Sequence, residues 1–291
     1  MSSTELTVIA DRLQFDVRHL AIEIGPRNIH HYPALCRAAH HIERAFCEAG
    51  YVPTRQTFEA MGKRFANIIA ERPAPESSRE VFIVGAHYDT HKESPGANDN
   101  GSGIAALLEL ARAASGWRSR RTIRFVAFAN EESPFTRTRH MGSYVYAEAC
   151  RKRGDEITGM LCLETLGCYS EERAQWLSFG GLLLPRRADF LALVGNLRSR
   201  RLLHRCSEAL GVDPEIKFRA LSLPGGLPGV RSSDHWSFWK SGYQAVMATD
   251  TAPLRYQHYH RSTDTPDKID FDWLERVVRG LLRVLGSAAA A

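Results

Sequence analysis

A layered α/β fold, a central sheet with helices on both faces, is predicted by two features of this 291-residue chain. Apolar runs of buried-strand type, of which Val81-Phe82-Ile83-Val84-Gly85-Ala86 is the clearest, alternate with stretches of helical periodicity. Internal repeats and dividing linkers are also absent from the sequence. The opening residues read as two helices, about 5–24 and 29–49, followed by a hairpin through 52–58 and 65–71. A turn with Pro and Ser at 72–78 leads into the strand at 81–86. Helix 103–114 then precedes strand 122–129, and helix 142–153 precedes strand 160–165. Helix 189–210 precedes a short strand near 215–219. A Gly/Pro-rich loop at 222–229 opens into a short helix at 234–240, a strand at 244–249 and a terminal helix from Phe271. The expectation is one domain over 1–291, with residues 1–50 a helical segment packed on it.

Composition narrows the classes. Hydrophobic residues make up 44% of the chain and charged residues 24%, an ordinary globular balance. No stretch approaches the roughly 20 consecutive apolar residues of a membrane-spanning helix. The segment Met1 to Leu20 carries Glu5, Asp11, Arg12, Asp16 and Arg18, so it lacks the uncharged core of a signal peptide. Six cysteines without a CxxC pair suit a reducing compartment, and the expected location is cytoplasmic. The net charge of +5 is spread over short clusters such as Arg118-Ser119-Arg120-Arg121, which read as solvated surface and not as a nucleic-acid site.

Function is signalled by the residues that follow the apolar runs. His87 and Asp89 follow the first; being two apart, they share a side if the strand continues, so the carboxylate can orient the imidazole. Asp99 lies in the turn-rich Gly96-Ala97-Asn98-Asp99-Asn100-Gly101-Ser102-Gly103, where a helix cap is the simpler reading. Glu131 and Glu132 leave a strand that otherwise reads as buried, a costly pairing unless a cation or a proton relieves it. Glu164 ends another apolar strand, and His260 lies in a polar loop where His258 competes with it. Two histidines and three carboxylates without thiolates suit zinc in a catalytic, open site. Two such ions about 3.5–4 Å apart share a carboxylate and activate a water, which implies hydrolysis of an acyl bond.

The chain resembles the co-catalytic zinc aminopeptidase family, whose relatives include bacterial leucyl aminopeptidases, glutamate carboxypeptidase and glutaminyl cyclase. The resemblance spans about 65–282. It rests on Gly85-Ala86-His87-Tyr88-Asp89-Thr90, the 96–103 loop, Asn130-Glu131-Glu132, Met141-Gly142-Ser143, Ser233-Asp234-His235, and Tyr259-His260 followed by Asp264-Thr265-Pro266-Asp267. It implies a three-layer α/β/α sandwich around a mixed, mostly parallel sheet of about eight strands, and a cis peptide at Asp99-Asn100. It also implies two zinc ions per chain, the first on His87 and Glu164, the second on Glu132 and His260, with Asp99 bridging. Glu131 is then the general base, Asp89 the partner of His87, and His235 is given a supporting role.

The activity implied is a zinc exopeptidase, an aminopeptidase acting on a peptide or a small aminoacyl or amide substrate. The alternatives are a one-zinc cyclase-like acyltransferase using Asp99, Glu132 and His260, and an inactive binding protein on the same fold. One departure is Glu164, where Asp is common in the family. Another is the basic loop 133–140 with Arg137, Arg139 and His140, whose simpler reading is a solvated loop. The substrate pocket is expected from loops 180–187 and 222–232.

Overall fold

Eight strands pair into one mixed sheet in the computed structural model, which describes residues 3–75, 77–173, 187–227 and 229–290. Helix α1 (Ser3–Arg18) runs on as a wider π turn over His19–Ile24, and α2 (Tyr32–Glu48) follows it. Strands β1 (Thr54–Ala60) and β2 (Lys63–Arg72) form a hairpin closed by Met61 and Gly62, both at positive φ, as a two-residue turn with matched twist requires. Strand β3 (Glu80–His87) leads to α3 (Gly103–Ala114), β4 (Thr122–Phe128) to α4 (Gly142–Arg153), and β5 (Glu156–Glu164) to a small two-stranded ribbon of β6 (Ser170–Arg173) and β7 (Arg187–Ala188). The rest comprises β8 (Leu191–Gly195), α5 (Arg200–Leu210), β9 (Phe218–Ser222), α6 (His235–Lys240), β10 (Ala245–Thr249), the short α7 (Ala252–Arg255) and α8 (Phe271–Ala290).

The strand order is β1-β2-β4-β3-β5-β10-β8-β9, with β4, β3, β5 and β10 mutually parallel at the centre. The side-chain period of two divides each central strand between two apolar layers. Phe82, Val84 and Ala86 of β3 join one cluster with residues of α1, α2, α3, α5 and α8, whereas Val81 and Ile83 join a second with Tyr146 of α4 and Phe238 of α6. Helices α3 and α4 therefore leave β3 and β4 toward opposite faces. That divergence opens a crevice beyond the carboxyl ends of the central strands, where open α/β sheets place their sites.

One element differs in kind from the sequence reading. The expected helix 189–210 is divided: Leu191-Ala192-Leu193-Val194-Gly195 is a strand with every residue buried, and the helix begins at Arg200. A short wholly apolar run has no periodicity to separate a buried strand from a buried helix face. The signal for the break is Asn196, whose side chain accepts the Ser199 N–H. The sheet is mixed and mostly parallel as expected, with β1-β2, β2-β4 and β10-β8 as its antiparallel pairs. No helix among the described residues is long and apolar enough to cross a membrane.

Gly142 starts α4 directly against the end of β4, with its N–H bonded to the Ala129 carbonyl at 2.7 Å and its own carbonyl accepting from Asn67. A Cβ there would lie 2.5 Å from that carbonyl oxygen and 2.8 Å from the Ala129 nitrogen. The Gly142→Ala variant is therefore expected to lose about 1–3 kcal/mol of stability through overpacking, measured by urea unfolding.

Candidate metal centre

Two groups of potential ligands meet in the crevice: His87, Asp99 and Glu164, and Asp99, Glu132 and His260, each with ligand atoms within 4.8 Å of one another. His87 ends β3 and Glu164 ends β5. The last registered pair of these strands is Gly85↔Cys162, so the two ligands stand two residues further on, facing the α4/α6 layer. His87 Nε2 lies 3.4 Å from Asp99 Oδ1 and 3.2 Å from Glu164 Oε2. His260 Nε2 lies 3.1 Å from Asp99 Oδ2 and 3.0 Å from Glu132 Oε1. The two oxygens of Asp99 thus face different histidines. His258 stands outside both groups, bonded to Thr263 Oγ1 at 2.9 Å.

The surrounding residues fix these positions through backbone contacts. Asp89 does not simply repeat the His87 side of an extended strand, since β3 stops at His87. Its carboxylate accepts the N–H groups of Glu131 and Glu132, both at 3.0 Å, while His87 Nδ1 donates to the Asp89 carbonyl at 3.2 Å with the carboxylate 3.5 Å away. That tautomer leaves the Nε2 lone pair free to face the cluster. Asp264 holds the bridging loop in the same way, accepting from the N–H of Asn98 at 2.9 Å and of Asp99 at 3.0 Å, and from Tyr256 Oη. The Asn100 side chain ties this loop to β5 through the Leu163 carbonyl and the Thr165 N–H, and the Asp99-Asn100 peptide is cis. Ser233 Oγ donates to Glu164 Oε2 at 2.6 Å. His260 lies between the rings of His91, at 4.1 Å and 5°, and Tyr259, at 3.9 Å and 18°.

Electrostatics favour a cation here. Burial pushes the carboxyl of Glu132 up to about 7, aided by Asp99, and raises those of Glu164 and Glu131; Glu131 moves well above the usual carboxylate range. Burial works against the charged form of His260, yet Asp99 and Glu132 hold it up at about 10, and His87 is raised in the same manner. Buried carboxylates at this density need a countercharge. The fit to zinc is direct: His87 Nε2, Asp99 Oδ2 and Glu132 Oε1 are buried polar atoms with no hydrogen-bond partner, although each sits within about 3.4 Å of another donor group. Imidazole nitrogens and carboxylate oxygens that approach without hydrogen-bonding are a ligand set.

Residues 67–285 match the family model for peptidase family M28. The chain belongs to peptidase family M28. The uncharacterized protein YfbL of Escherichia coli is 32% identical over 98% of this chain and 90% of its own length. A probable zinc metalloprotease of Pyrenophora teres f. teres is 25% identical over 78% of this chain, which spans only 52% of that protein. Among solved structures, the zinc aminopeptidase BSAP from Bacillus subtilis superimposes with a TM-score of 0.77 over 97% of this chain and 95% of that one at 17% identity, a likeness of fold. M28 membership makes the protein a zinc-family peptidase.

Every residue expected at the metals from sequence lies in the crevice, and Glu131 stands beside them in neither ligand group. His235 is fully buried, its Nε2 donating to the Val230 carbonyl at 2.7 Å, and burial lowers it to about 4. The basic loop is anchored on the glutamates by Thr136 Oγ1 to the Glu131 carbonyl and by the Phe135 N–H to the Glu132 carbonyl, with Arg137 and Arg139 exposed. Of the two expected pocket loops, 180–186 lies outside the described residues, as does residue 228 of the second. Asp264 holds the backbone of the Asp99 loop and Ser233 the carboxylate of Glu164, contacts that have no signature in residue type.

Because Asp89 aligns His87 and both glutamates together, Asp89→Ala is expected to weaken zinc binding about 10–100-fold, the scale of lost ligand-orienting partners. Competition with a chromophoric chelator measures it.

Proposed function

We propose that this M28 peptidase is a two-zinc aminopeptidase that hydrolyses the N-terminal bond of a peptide or small aminoacyl amide. The observation that carries the reading is Asp99, whose two oxygens face His87 and His260 separately and so serve both ligand groups. His87 and Glu164 would hold one ion, Glu132 and His260 the other. We further propose that the chain works as one domain, since α1, α2 and α8 share an apolar cluster with the sheet.

When bound, a zinc pair supplies Lewis acidity toward a scissile carbonyl and lowers the pKa of a nearby water. Glu131 takes the proton from the attacking water as its oxygen bonds to the carbonyl carbon, then delivers it to the amine nitrogen as the C–N bond breaks. Burial, with Glu132, Glu164 and Asp234 nearby, raises the proton affinity of Glu131, and bound cations would oppose that rise and favour the carboxylate that accepts the proton. Asp89 and Thr136 hold its main chain from both sides. A one-zinc acyltransferase would need only Asp99, Glu132 and His260, and the completeness of the His87–Glu164 pair speaks against it.

Elemental analysis of the purified protein is expected to give near two zinc per chain, and His87→Ala about one. Glu131→Gln is expected to retain its metal and lose on the order of 10²–10⁴ in turnover on aminoacyl amides, as loss of a general base does. Metal-replete wild type that cleaves only C-terminal residues or non-peptide amides would move the assignment to a carboxypeptidase or amidase; one zinc, insensitive to His87→Ala, would favour acyl transfer.

A further inference from the structure

Arg27 stands in Gly25-Pro26-Arg27-Asn28, the link between the first two helices, outside the residues matched to the family. Its side chain is buried completely, at 0% exposure. A buried guanidinium ordinarily meets a carboxylate. This one instead donates to five main-chain carbonyls: Tyr88 at 2.7 Å, Pro95 at 2.6 Å, Gly96 at 3.0 Å, Leu20 at 3.2 Å and Gly25 at 3.3 Å. Burial lowers its pKa to about 10, so it stays protonated at neutral pH, and the charges that oppose the fall are Asp264, Asp89 and Asp99.

The carbonyls are informative by position. Tyr88 lies between His87 and Asp89. Pro95 and Gly96 begin the loop that presents Asp99, and Gly96 turns at φ 63° while its carbonyl also accepts the Gly101 N–H at 3.0 Å. One planar fork therefore grips both ends of the 88–96 loop. The neighbouring backbone continues the grip: Arg27 and Thr90 exchange hydrogen bonds at 2.9 and 3.0 Å, and Asn28 Nδ2 donates to the carbonyls of Thr90 and Lys92. The space is closed, because a Cβ on Gly96 would lie 2.5 Å from the Asp99 carbonyl oxygen and 3.3 Å from Arg27 Nη2.

We propose that Arg27 is a positioning residue of the metal centre, holding the backbone of His87, Asp89 and Asp99 at ligating separation before any cation binds. The N-terminal helical link is then a working part of the site. A lysine would keep the cation but not the fork, since its three donors radiate from one point and cannot reach carbonyls on both sides.

The inference rests on the zinc-peptidase reading, and its test separates the two. The zinc dissociation constant of the full chain is measured by competition with a chromophoric chelator for wild type, Arg27→Lys, Arg27→Met and the core truncation Leu281→Ala in α8, alongside the thermal unfolding of each metal-free protein. Both Arg27 variants are expected to bind zinc at least tenfold more weakly than wild type, while Leu281→Ala unfolds earlier yet binds within twofold of it. Arg27→Lys binding within twofold of wild type, whatever its unfolding temperature, overturns the proposal. So does an equal loss of affinity in Leu281→Ala, which would make the effect general loosening. Should neither Arg27 variant fold, Asn28→Ala, which removes the grip on Thr90 and Lys92 together with the Oδ1 bonds to the His30 and His31 N–H groups, is judged by the same comparison with threefold weakening expected. Wild type that holds no zinc overturns the zinc-peptidase reading and this proposal together.

Discussion

The constraint on which the structure depends is the convergence of buried carboxylates: Asp89, Asp99, Glu131, Glu132, Glu164, Asp234 and Asp264 lie within one crevice, each at most 6% exposed. Like charges taken out of water at this density repel strongly. Few are neutralised by a basic partner outside the site itself. The fold compensates with peptide dipoles instead. Asp89 takes two backbone N–H groups from the glutamates, Asp264 takes two from the Asp99 loop, and Asp250 accepts from the Cys168 and Ala252 N–H groups and from the Asn98 side chain. Asp89 and Asp264 thereby anchor the main chain of a candidate ligand and of its neighbour, and Asp250 holds the side chain of Asn98 beside Asp99. The charges that make the site costly also organise the loops that present its ligands.

This explains why the ligands come from ends of elements and not from their middles. A side chain within β3 or β5 is committed by alternation to one apolar layer or the other. Only at the last residue of each strand, His87 of β3 and Glu164 of β5, can a polar group face the crevice, and the divergence of α3 and α4 keeps that volume open. The asymmetry of the layers matters too. The larger cluster takes in α1, α2, α3, α5 and α8, so the N-terminal helices are bound to the sheet through ordinary burial, and the link between them comes to rest behind the metal-holding loops.

Legibility in the sequence followed the physics of each signal. The central strands were readable because a buried parallel strand is a near-continuous apolar run, and α3 and α4 were placed to the residue by their periodicity and flanking glycines. The residues that gather in the crevice were readable because an isolated acid or histidine after such a run has no cheap structural explanation. What failed was continuity without periodicity, in Leu191 to Gly195; strand alternation also did not show that the Asp89 carboxylate, 3.5 Å from His87 Nδ1, accepts the backbone N–H groups of both glutamates. The pair Ser233 and Asp264 stayed unassigned because their partners lie 69 and up to 166 residues away.

Arg27 shows the limit most clearly. In the sequence it is one arginine among many, beside a proline and a glycine, where a turn is the sufficient explanation. Its consequence comes from what it lacks: an acid in contact. A guanidinium paired to one carboxylate would have quenched a charge; bonded to carbonyls from both ends of a loop, it fixes a backbone path and leaves the nearby acids free for another cation. The charges of Asp264, Asp89 and Asp99 in turn oppose the lowering of the guanidinium pKa by burial, without Arg27 competing for their lone pairs. A site that must stay vacant yet ordered until metal arrives requires this division between the groups that bind and the groups that hold.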